Sequence, residues 1–215
     1  MSRDLSDMTL EELWELFPII FKEHNPAYAD WYEEEKVWIL PCLAPGELFR
    51  IQHIGSTAVK GLTAKPTVDI LLEITESCRT DRLRERLLQS GRILMNVQEE
   101  PLRWVFNKGY TPQGFAEKVY HLHVRPAADW DELYFRDYLR ENSAVRKEYA
   151  ALKLRLQKQY EHDRDGYTDA KTGFIRQATQ TARRLYGDSA LYKSVFGIKQ
   201  RGGHMAAALL YSASE

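Results

Sequence analysis

The sequence predicts a mixed α/β (α+β) protein, in which a mixed β-sheet of about five strands is flanked by helices, with helical segments at both ends of the chain. Two observations carry this prediction. Short runs of apolar and β-branched residues concentrate in residues 47–127, whereas apolar residues recur at helical spacing before and after them. We therefore predict one domain over residues 1–186, made of a helical entry (1–46), a sheet core (47–127) and terminal helices (128–186). The tail 187–215 has no clear pattern.

Composition narrows the class of protein. With 215 residues, 44% of them hydrophobic, the chain is large enough for one substantial core. Its formal net charge of −1 provides no basic field, so nucleic acid is not an expected partner. Cys42 and Cys78 lack metal or redox spacing, no secretory signal is apparent, and no apolar run approaches the ~20 residues of a membrane helix. We expect a cytoplasmic protein without a membrane partner; the sequence does not indicate its oligomeric state.

The entry segment carries two helix starts. Thr9 and Glu12 have capping-box spacing, and apolar residues at helical spacing follow them. Asn25-Pro26 begins a second helix, with asparagine as the cap and proline in the first turn. The aromatic residues at 28–39 either pack in the core or form a base-stacking surface, and core packing is the more common role.

The central region reads as strands around one helix. Thr80 is predicted to cap that helix, and Gly91 to end it. Residues 109–117 are polar and contain glycine, so we predict a loop there. The predicted strands are Leu48–Ile54, Thr67–Ile74, 92–97, 103–107 and 118–125.

From residue 129 the apolar spacing is helical. Three stripes predict helices around 130–139, 145–156 and 174–185, the last of them ended by Gly187. The polar stretch 162–166 is predicted to be a solvated turn.

The stretch between the first two strands has the strongest functional signal. Gly55 allows a sharp turn, and the hydroxyls of Ser56 and Thr57 follow it. Free N–H groups at such a turn attract anions, so a phosphate cradle and a plain tight turn are both open. Asp69 interrupts an apolar strand, and a carboxylate there needs a cation, hydrogen-bond donors or a metal.

The string HIGSTAVKGLTAKPTVDI at residues 53–70 closely resembles the GrpB family of bacterial proteins. Further strings extend the resemblance to most of the chain: YHLHV (120–124), FRDYLREN (135–142), EYAALK (148–153) and YTDAKTGFI (167–175). The resemblance implies a nucleotidyltransferase-like fold, a nucleotide or phosphorylated small-molecule ligand, a divalent metal (Mg²⁺ or Zn²⁺), and possible transfer of a nucleotidyl group.

One departure from the superfamily pattern favours an alternative. That pattern places two acids two residues apart on one strand, but Leu71 stands where the second acid would follow Asp69. Glu73 shares the face of Asp69 but lies ~13 Å along the strand, too far for joint coordination of one ion. The alternative is therefore a ligand-binding or metal-binding module that has lost transfer chemistry.

His121 and His123 alternate on one strand, so both rings point to one side. If that strand neighbours the strand of Asp69, the three side chains form a two-histidine, one-carboxylate set that binds metal or takes part in catalysis. The other reading is that the rings hydrogen-bond to Asp69 without a metal.

Three further residues are candidate ligand contacts. Lys65 precedes the acid strand and either binds phosphate, neutralises Asp69 or faces water. His53 lines the cleft or packs at the strand end. Arg103 grips an anionic ligand or faces solvent.

Overall fold

The computed structural model describes residues 4–161 and 163–187. Its centre is one sheet of five strands in the order β1-β2-β5-β4-β3. The central pair, β2 and β5, is parallel and the other pairs are antiparallel, so the sheet is mixed, as predicted. The strands are β1 (Leu48–Ile54), β2 (Thr67–Ile74), β3 (Ile93–Glu99), β4 (Leu102–Thr111) and β5 (Gly114–Pro126).

Helices precede, interrupt and follow this sheet. None of those in the described part of the chain combines the length and the apolar character that crossing a bilayer requires. The α-helices are α1 (Leu10–Leu16), α2 (Tyr28–Ile39), α3 (Thr80–Gln89), α4 (Asp131–Glu141), α5 (Ser143–Gln159) and α6 (Arg164–Tyr186).

The predicted capping box begins α1. The Glu12 backbone N–H donates to Thr9 Oγ1 at 3.2 Å, and the Thr9 N–H donates to the Glu12 carboxylate at 2.7 Å. At the next helix, Asn25 Oδ1 accepts the Ala27 N–H at 3.0 Å, but the N-cap of α2 is Ala27, which has no side-chain cap, so the predicted cap at Asn25 is wrong by two residues. The start of α1 is thus a local effect of the sequence.

The predicted loop at 109–117 is wrong, because β4 and β5 continue through it as a hairpin. Only residues 112 and 113 form the turn, and Thr111 Oγ1 donates to the Gly114 carbonyl at 2.8 Å. The hairpin packs on the end of α1, where the Phe17 ring contacts those of Tyr110 and Phe115 at centroid distances of 4.8 and 5.0 Å. Long-range aromatic packing overrides the loop-like composition.

Other boundaries differ from expectation: β3 runs two residues past its predicted end, and α6 begins ten residues before the predicted 174. Thr80 is the first residue of α3, and Arg79 takes the N-cap position without a side-chain hydrogen bond. The predicted turn at 162–166 is instead partly helical, since Asp163 caps α6 by accepting the Gly166 N–H at 2.8 Å. Residue 162 lies outside the described residues, as does the predicted tail beyond Gly187, which ends α6.

The two faces of the sheet differ in chemistry. One face is the main apolar core, where helices α2 and α3 cover strand residues such as Ile70, Leu72 and Leu122. The other face carries Asp69 and His121 as a paired row of the parallel ladder. Paired residues on adjacent strands point to the same face of a sheet. Asp69 and His121 therefore both lie on the side of the sheet away from the apolar core.

Helix α4 covers part of the polar face. Leu133 packs against Ile54 and Leu71. Arg136 donates to Gln52 Oε1 and to the His53 carbonyl, each at 3.0 Å. These contacts fix the C-terminal helices over the sheet and leave a site between them.

Candidate functional site

The turn at Gly55 brings the strand ends of β1 and β2 together. Gly55 has φ +70°, a left-handed conformation that glycine adopts without strain. Asp69 on β2 pairs with Ile54 on β1, next to Gly55. Its carboxylate fills the space that a Cβ at residue 55 would need. Glycine therefore serves two purposes: it makes the turn, and it lets the carboxylate lie against the backbone.

Replacing Gly55 by alanine should lower the free energy of unfolding by about 1–3 kcal/mol, because the backbone is strained and Asp69 must move. Urea denaturation followed by tryptophan fluorescence measures this. Gly61→Ala is a matched control: it also has positive φ, at +76°, but a Cβ there meets nothing. Equal losses in the two variants would mean that the Asp69 contact contributes nothing.

Asp69, His121 and His123 meet on the polar face. His121 Nδ1 lies 3.2 Å from Asp69 Oδ1, and His123 Nε2 lies 3.8 Å from the same oxygen. The other nitrogen of His121, Nε2, is 2.8 Å from the Tyr110 hydroxyl. The Asp69 side chain is 29% exposed, so this group reaches solvent rather than being sealed in the core.

The two histidines decide the charge of Asp69. Burial alone raises the pKa of this carboxyl, but the hydrogen bonds and positive charge offered by His121 and then His123 outweigh burial and hold the pKa well below its usual range. Asp69 is therefore a carboxylate at neutral pH and a weak base, suited to accepting hydrogen bonds rather than protons.

The contacts among Asp69, His121, His123 and Tyr110 limit which of their atoms could coordinate the predicted metal ion. Within residues 4–161 and 163–187, no group of three or more His, Cys, Asp or Glu side chains is arranged to hold a metal ion. His121 uses one nitrogen toward Asp69 and the other toward Tyr110. In this arrangement the polar atoms of these side chains contact one another. A Mg²⁺ or Zn²⁺ site at Asp69, His121 and His123 stays a prediction.

A buried lysine approaches Ser56 from α5. Lys153 Nζ donates to Ser56 Oγ at 3.1 Å and also to the Thr63 carbonyl. The lysine is only 2% exposed, and its ammonium lies 4.8 Å from the centroid of the Tyr149 ring. None of these partners is an anion, which is unusual for a buried cation.

Two more lysines surround the same turn. Burial, reinforced by the positive charges of Lys171 and Lys65, lowers the pKa of Lys153 to about 7. Lys171 and Lys65 both lie over the Tyr167 ring, at 4.5 and 5.7 Å from its centroid, and both are half-buried. Burial lowers the pKa of Lys171, and the charge of Asp69 partly offsets this.

His53 and Thr57 support the turn from the apolar side. His53 pairs with Ile70, so it lies on the face opposite Asp69, where it stacks on Tyr32 at 5.2 Å. Its Nε2 is 3.0 Å from Thr57 Oγ1, which donates to the Thr67 carbonyl at 3.0 Å. Burial lowers the pKa of His53 to about 4, so the ring is neutral. A direct ligand contact by either residue stays a prediction.

Arg103 and Glu73 lie at the other end of the polar face. The exposed Arg103 stacks on the Trp130 ring at 5.1 Å, and Arg125 stacks on the same ring at 4.7 Å. Glu73 is fully buried and forms an ion pair with Arg50. Its carboxylate is therefore engaged and is not free to act as a second metal-binding acid. A ligand-binding role for Arg103 stays a prediction.

A cavity of about 380 Å³ lies at the end of the sheet where β2 begins. Lys65, Thr67 and Tyr110 line it, whereas Ser56, Asp69 and Lys153 do not; the Tyr110 hydroxyl, which contacts His121, connects the cavity to the Asp69 group. Its aromatic wall is formed by Tyr28, Trp31 and Phe115. This volume is in the range of small-molecule sites.

Sequence reasoning missed Lys153, Lys171, Tyr110 and the two tyrosines 149 and 167. A signal for Lys153 existed: it falls four residues after Tyr149, on the apolar stripe of α5, where a lysine is out of place. Nothing in the sequence alone brought the Tyr110 hydroxyl to His121.

Comparisons with known proteins agree with this architecture. The family described as GrpB protein matches residues 18–181. The chain is 32% identical to the glutamate-rich protein GrpB of Alkalihalophilus pseudofirmus, over 73% of this chain and 91% of the relative. It is 29% identical to the UPF0157 protein YqkA of Bacillus subtilis, over 75% of this chain but only 46% of that longer relative.

A solved structure shows the same fold. The crystal structure of the conserved protein GrpB from Enterococcus faecalis superposes with a TM-score of 0.67 at 30% sequence identity, covering 78% of this chain and 99% of that one. The family match, the relative and the shared fold together show that the chain belongs to the GrpB family.

Proposed function

We propose that the region between the Gly55-Ser56 turn and helices α5 and α6, called the cleft below, binds a phosphorylated small molecule, such as a nucleotide, with its phosphate at Gly55-Ser56 between Lys65 and Lys171. The observation that carries this proposal is the group of lysines around Ser56. The charges that lower the pKa of the buried Lys153 are other cations, Lys171 and Lys65. Such mutual repulsion destabilises the empty site, and an anionic ligand relieves it.

The chemistry of the turn supports a phosphate rather than an apolar ligand. The Ser56 hydroxyl is a donor for a phosphate oxygen, and ammonium groups bind phosphate as point charges. Lys65 and Lys171 are half-buried, and burial already lowers the pKa of Lys171, so its ammonium group has lost part of its water before an anion binds. Charged hydrogen bonds are strongest in such surroundings.

The cavity beside Lys65 suits the rest of such a ligand. Its aromatic side chains offer a face for a planar base, and Lys65 links the cavity to the lysine group. A phosphate at Ser56 with a base against this wall describes a nucleotide.

Titration calorimetry with pyrophosphate and with ATP, both without added metal, tests the proposal. We expect binding by the full chain, and affinity about 10-fold or more weaker in Lys171→Met, because hydrogen bonds to charged groups contribute roughly 1.5–3 kcal/mol. Affinity should also fall as salt rises.

The control is Lys158→Met, which removes an exposed lysine of α5 and should bind as the unaltered protein does. No heat with any phosphate compound, or equal weakening in Lys158→Met and Lys171→Met, would overturn the proposal.

Binding without transfer is favoured by one observation. Leu71, paired with His123, stands where the superfamily has its second acid, and Glu73 is engaged by Arg50. The transfer alternative, in which Asp69 and the histidines use a divalent ion, predicts pyrophosphate release from a nucleoside triphosphate with Mg²⁺ or Zn²⁺. Release that is lost in Asp69→Asn would establish that alternative.

A further inference from the structure

Ser56 and Lys153 form a hydroxyl–amine pair that the phosphate-binding role does not need. The Ser56 side chain is half-buried, so part of it is in reach of solvent, whereas Lys153 is 2% exposed, with Nζ 3.1 Å from Ser56 Oγ. A base placed behind a reachable hydroxyl, within hydrogen-bond distance, is the arrangement of an activated serine nucleophile. Serine–lysine pairs are one known form of it.

The surroundings keep the lysine in place. Its Nζ also donates to the Thr63 carbonyl, and the Phe21 and Tyr149 rings lie 5.6 and 4.8 Å from it. These contacts hold Nζ toward Ser56 and away from solvent. A base must be fixed in this way to take a proton from one hydroxyl.

The titratable groups facing Lys153 leave it able to act as a base. These are Tyr149 on the same helix, which also hydrogen-bonds with Ser56, Tyr167 and Lys171 on α6, and Lys65 before β2; beyond them, the charge of Asp69 acts on Tyr149 and Lys171. Burial raises the pKa of both tyrosines, so neither provides a negative charge at neutral pH. Burial, and then the charges of Lys171 and Lys65, disfavour a proton on Lys153, so a substantial fraction of the amine is neutral near pH 7.

We propose that Ser56 is a nucleophile, with Lys153 as its general base, that attacks the phosphorus of a phosphodiester or phosphoanhydride bound in the cleft. This inference rests on the proposed function, because Lys65 and Lys171 would neutralise the phosphoryl oxygens. A phosphoryl group within a diester or anhydride carries one negative charge, which these two ammonium groups more than neutralise, so its binding does not require a proton on Lys153.

Each step balances. The Ser56 O–H proton passes to the Lys153 lone pair as the Oγ–P bond forms. The bond from phosphorus to the leaving oxygen breaks on the side opposite Ser56, and that oxygen departs with the electron pair. Water then attacks the phosphorus of the serine phosphoester, Ser56 Oγ departs and takes its proton back from Lys153, and the proton lost by water goes through solvent to the first leaving oxygen, so the sum is hydrolysis of one P–O bond. This route does not use the second acid that Leu71 replaces.

A dialkyl fluorophosphate tests the pair without depending on anion binding, because the probe is uncharged. Intact mass spectrometry of the full chain should show one adduct, with loss of fluoride, and peptide mapping should place it on Ser56. The labelling rate should rise from about pH 5.5 to about pH 8.5 with a midpoint near the pKa of about 7 at Lys153.

Variants separate the base from a structural role. Lys153→Met should label at least ~100-fold more slowly while keeping its circular dichroism spectrum, and the exposed Lys158→Met should label normally. Lys171→Met should still label, with its midpoint moved to higher pH because a charge that lowers the pKa of Lys153 is gone.

No adduct, an adduct elsewhere, or Ser56 labelling at the same rate in Lys153→Met would each overturn the proposal. Failure here combined with normal pyrophosphate binding leaves the proposed function standing. Labelling at Ser56 without any binding of phosphate compounds would refute the proposed function alone.

Discussion

Replacing Glu73 by alanine should lower the free energy of unfolding by about 3–5 kcal/mol, one of the two largest effects we expect for this chain. Glu73 is 0% exposed and its partner Arg50 is nearly as buried. Arg50 Nη2 donates to Glu73 Oε1 at 2.8 Å, and the Ala128 N–H donates to the same oxygen at 3.2 Å. Removing the carboxylate leaves a buried guanidinium without its counter-charge.

Urea denaturation measures the effect, and two variants bracket it. The exposed Glu76→Ala should change the free energy of unfolding by less than about 0.5 kcal/mol. A double variant, Arg50→Met with Glu73→Leu, should recover most of the loss, since an apolar pair of similar volume replaces a buried ion pair well. A loss below about 1 kcal/mol in Glu73→Ala would show that water or a neighbouring group compensates Arg50.

This ion pair also shows why one sequence argument succeeded. The spacing of Asp69, Leu71 and Glu73 on β2 indicated that Glu73 was too distant to join Asp69 at one ion. The structure gives Glu73 its own partner on β1, in the register Arg50↔Glu73. Strand periodicity fixes which residues share a face, so face and separation are readable from sequence.

Strands β1 and β2 matched their predicted ends, Leu48–Ile54 and Thr67–Ile74, because apolar, β-prone residues stop at turn residues. The hairpin between β4 and β5 was not predictable in this way. Its residues 109–114 are those of a loop, and what extends the strands is contact with Phe17, a residue more than ninety positions earlier. Distant packing of this kind has no local signal.

The candidate site also has a part that the sequence could predict and a part that depends on distant packing. Asp69 with His121 followed from periodicity once β2 and β5 were neighbours. Lys153 and Lys171 come from helices whose docking on the sheet depends on contacts such as Arg136 with the His53 carbonyl. The sequence shows that a lysine interrupts an apolar stripe; only the fold shows that it ends at Ser56.

The second large effect concerns Lys153. We expect Lys153→Met to raise the free energy of unfolding at pH 6–7 by about 2–4 kcal/mol. Lowering the pKa of a lysine from 10.5 to about 7 corresponds to a penalty on the order of 5 kcal/mol while the group is charged. Methionine fills a similar volume without charge. The Thr63 carbonyl loses its hydrogen-bond donor in this variant, which reduces the gain in stability by roughly 1–3 kcal/mol.

The pH dependence identifies the cause. Below about pH 7 the lysine is protonated in the folded and unfolded chains alike, and the folded chain bears the full penalty. Between about pH 7 and 10.5 only the unfolded chain holds this proton, so stability rises with pH; above 10.5 the amine is neutral in both states and the penalty has disappeared. Lys153→Met should therefore lack this rise, and the exposed Lys158→Met should keep it.

Urea denaturation across this pH range, with the difference between Lys153→Met and the unaltered protein as the measured quantity, cancels the other groups that titrate there. A difference that stays constant with pH would mean that Lys153 remains charged in the fold, stabilised by the rings of Phe21 and Tyr149. A difference that shrinks as pH rises would mean that the fold bears a buried charge at a cost to its own stability. Groups held in such unfavourable surroundings concentrate at functional sites. That result would indicate that the surroundings of Ser56 lower the free energy of unfolding in favour of ligand chemistry.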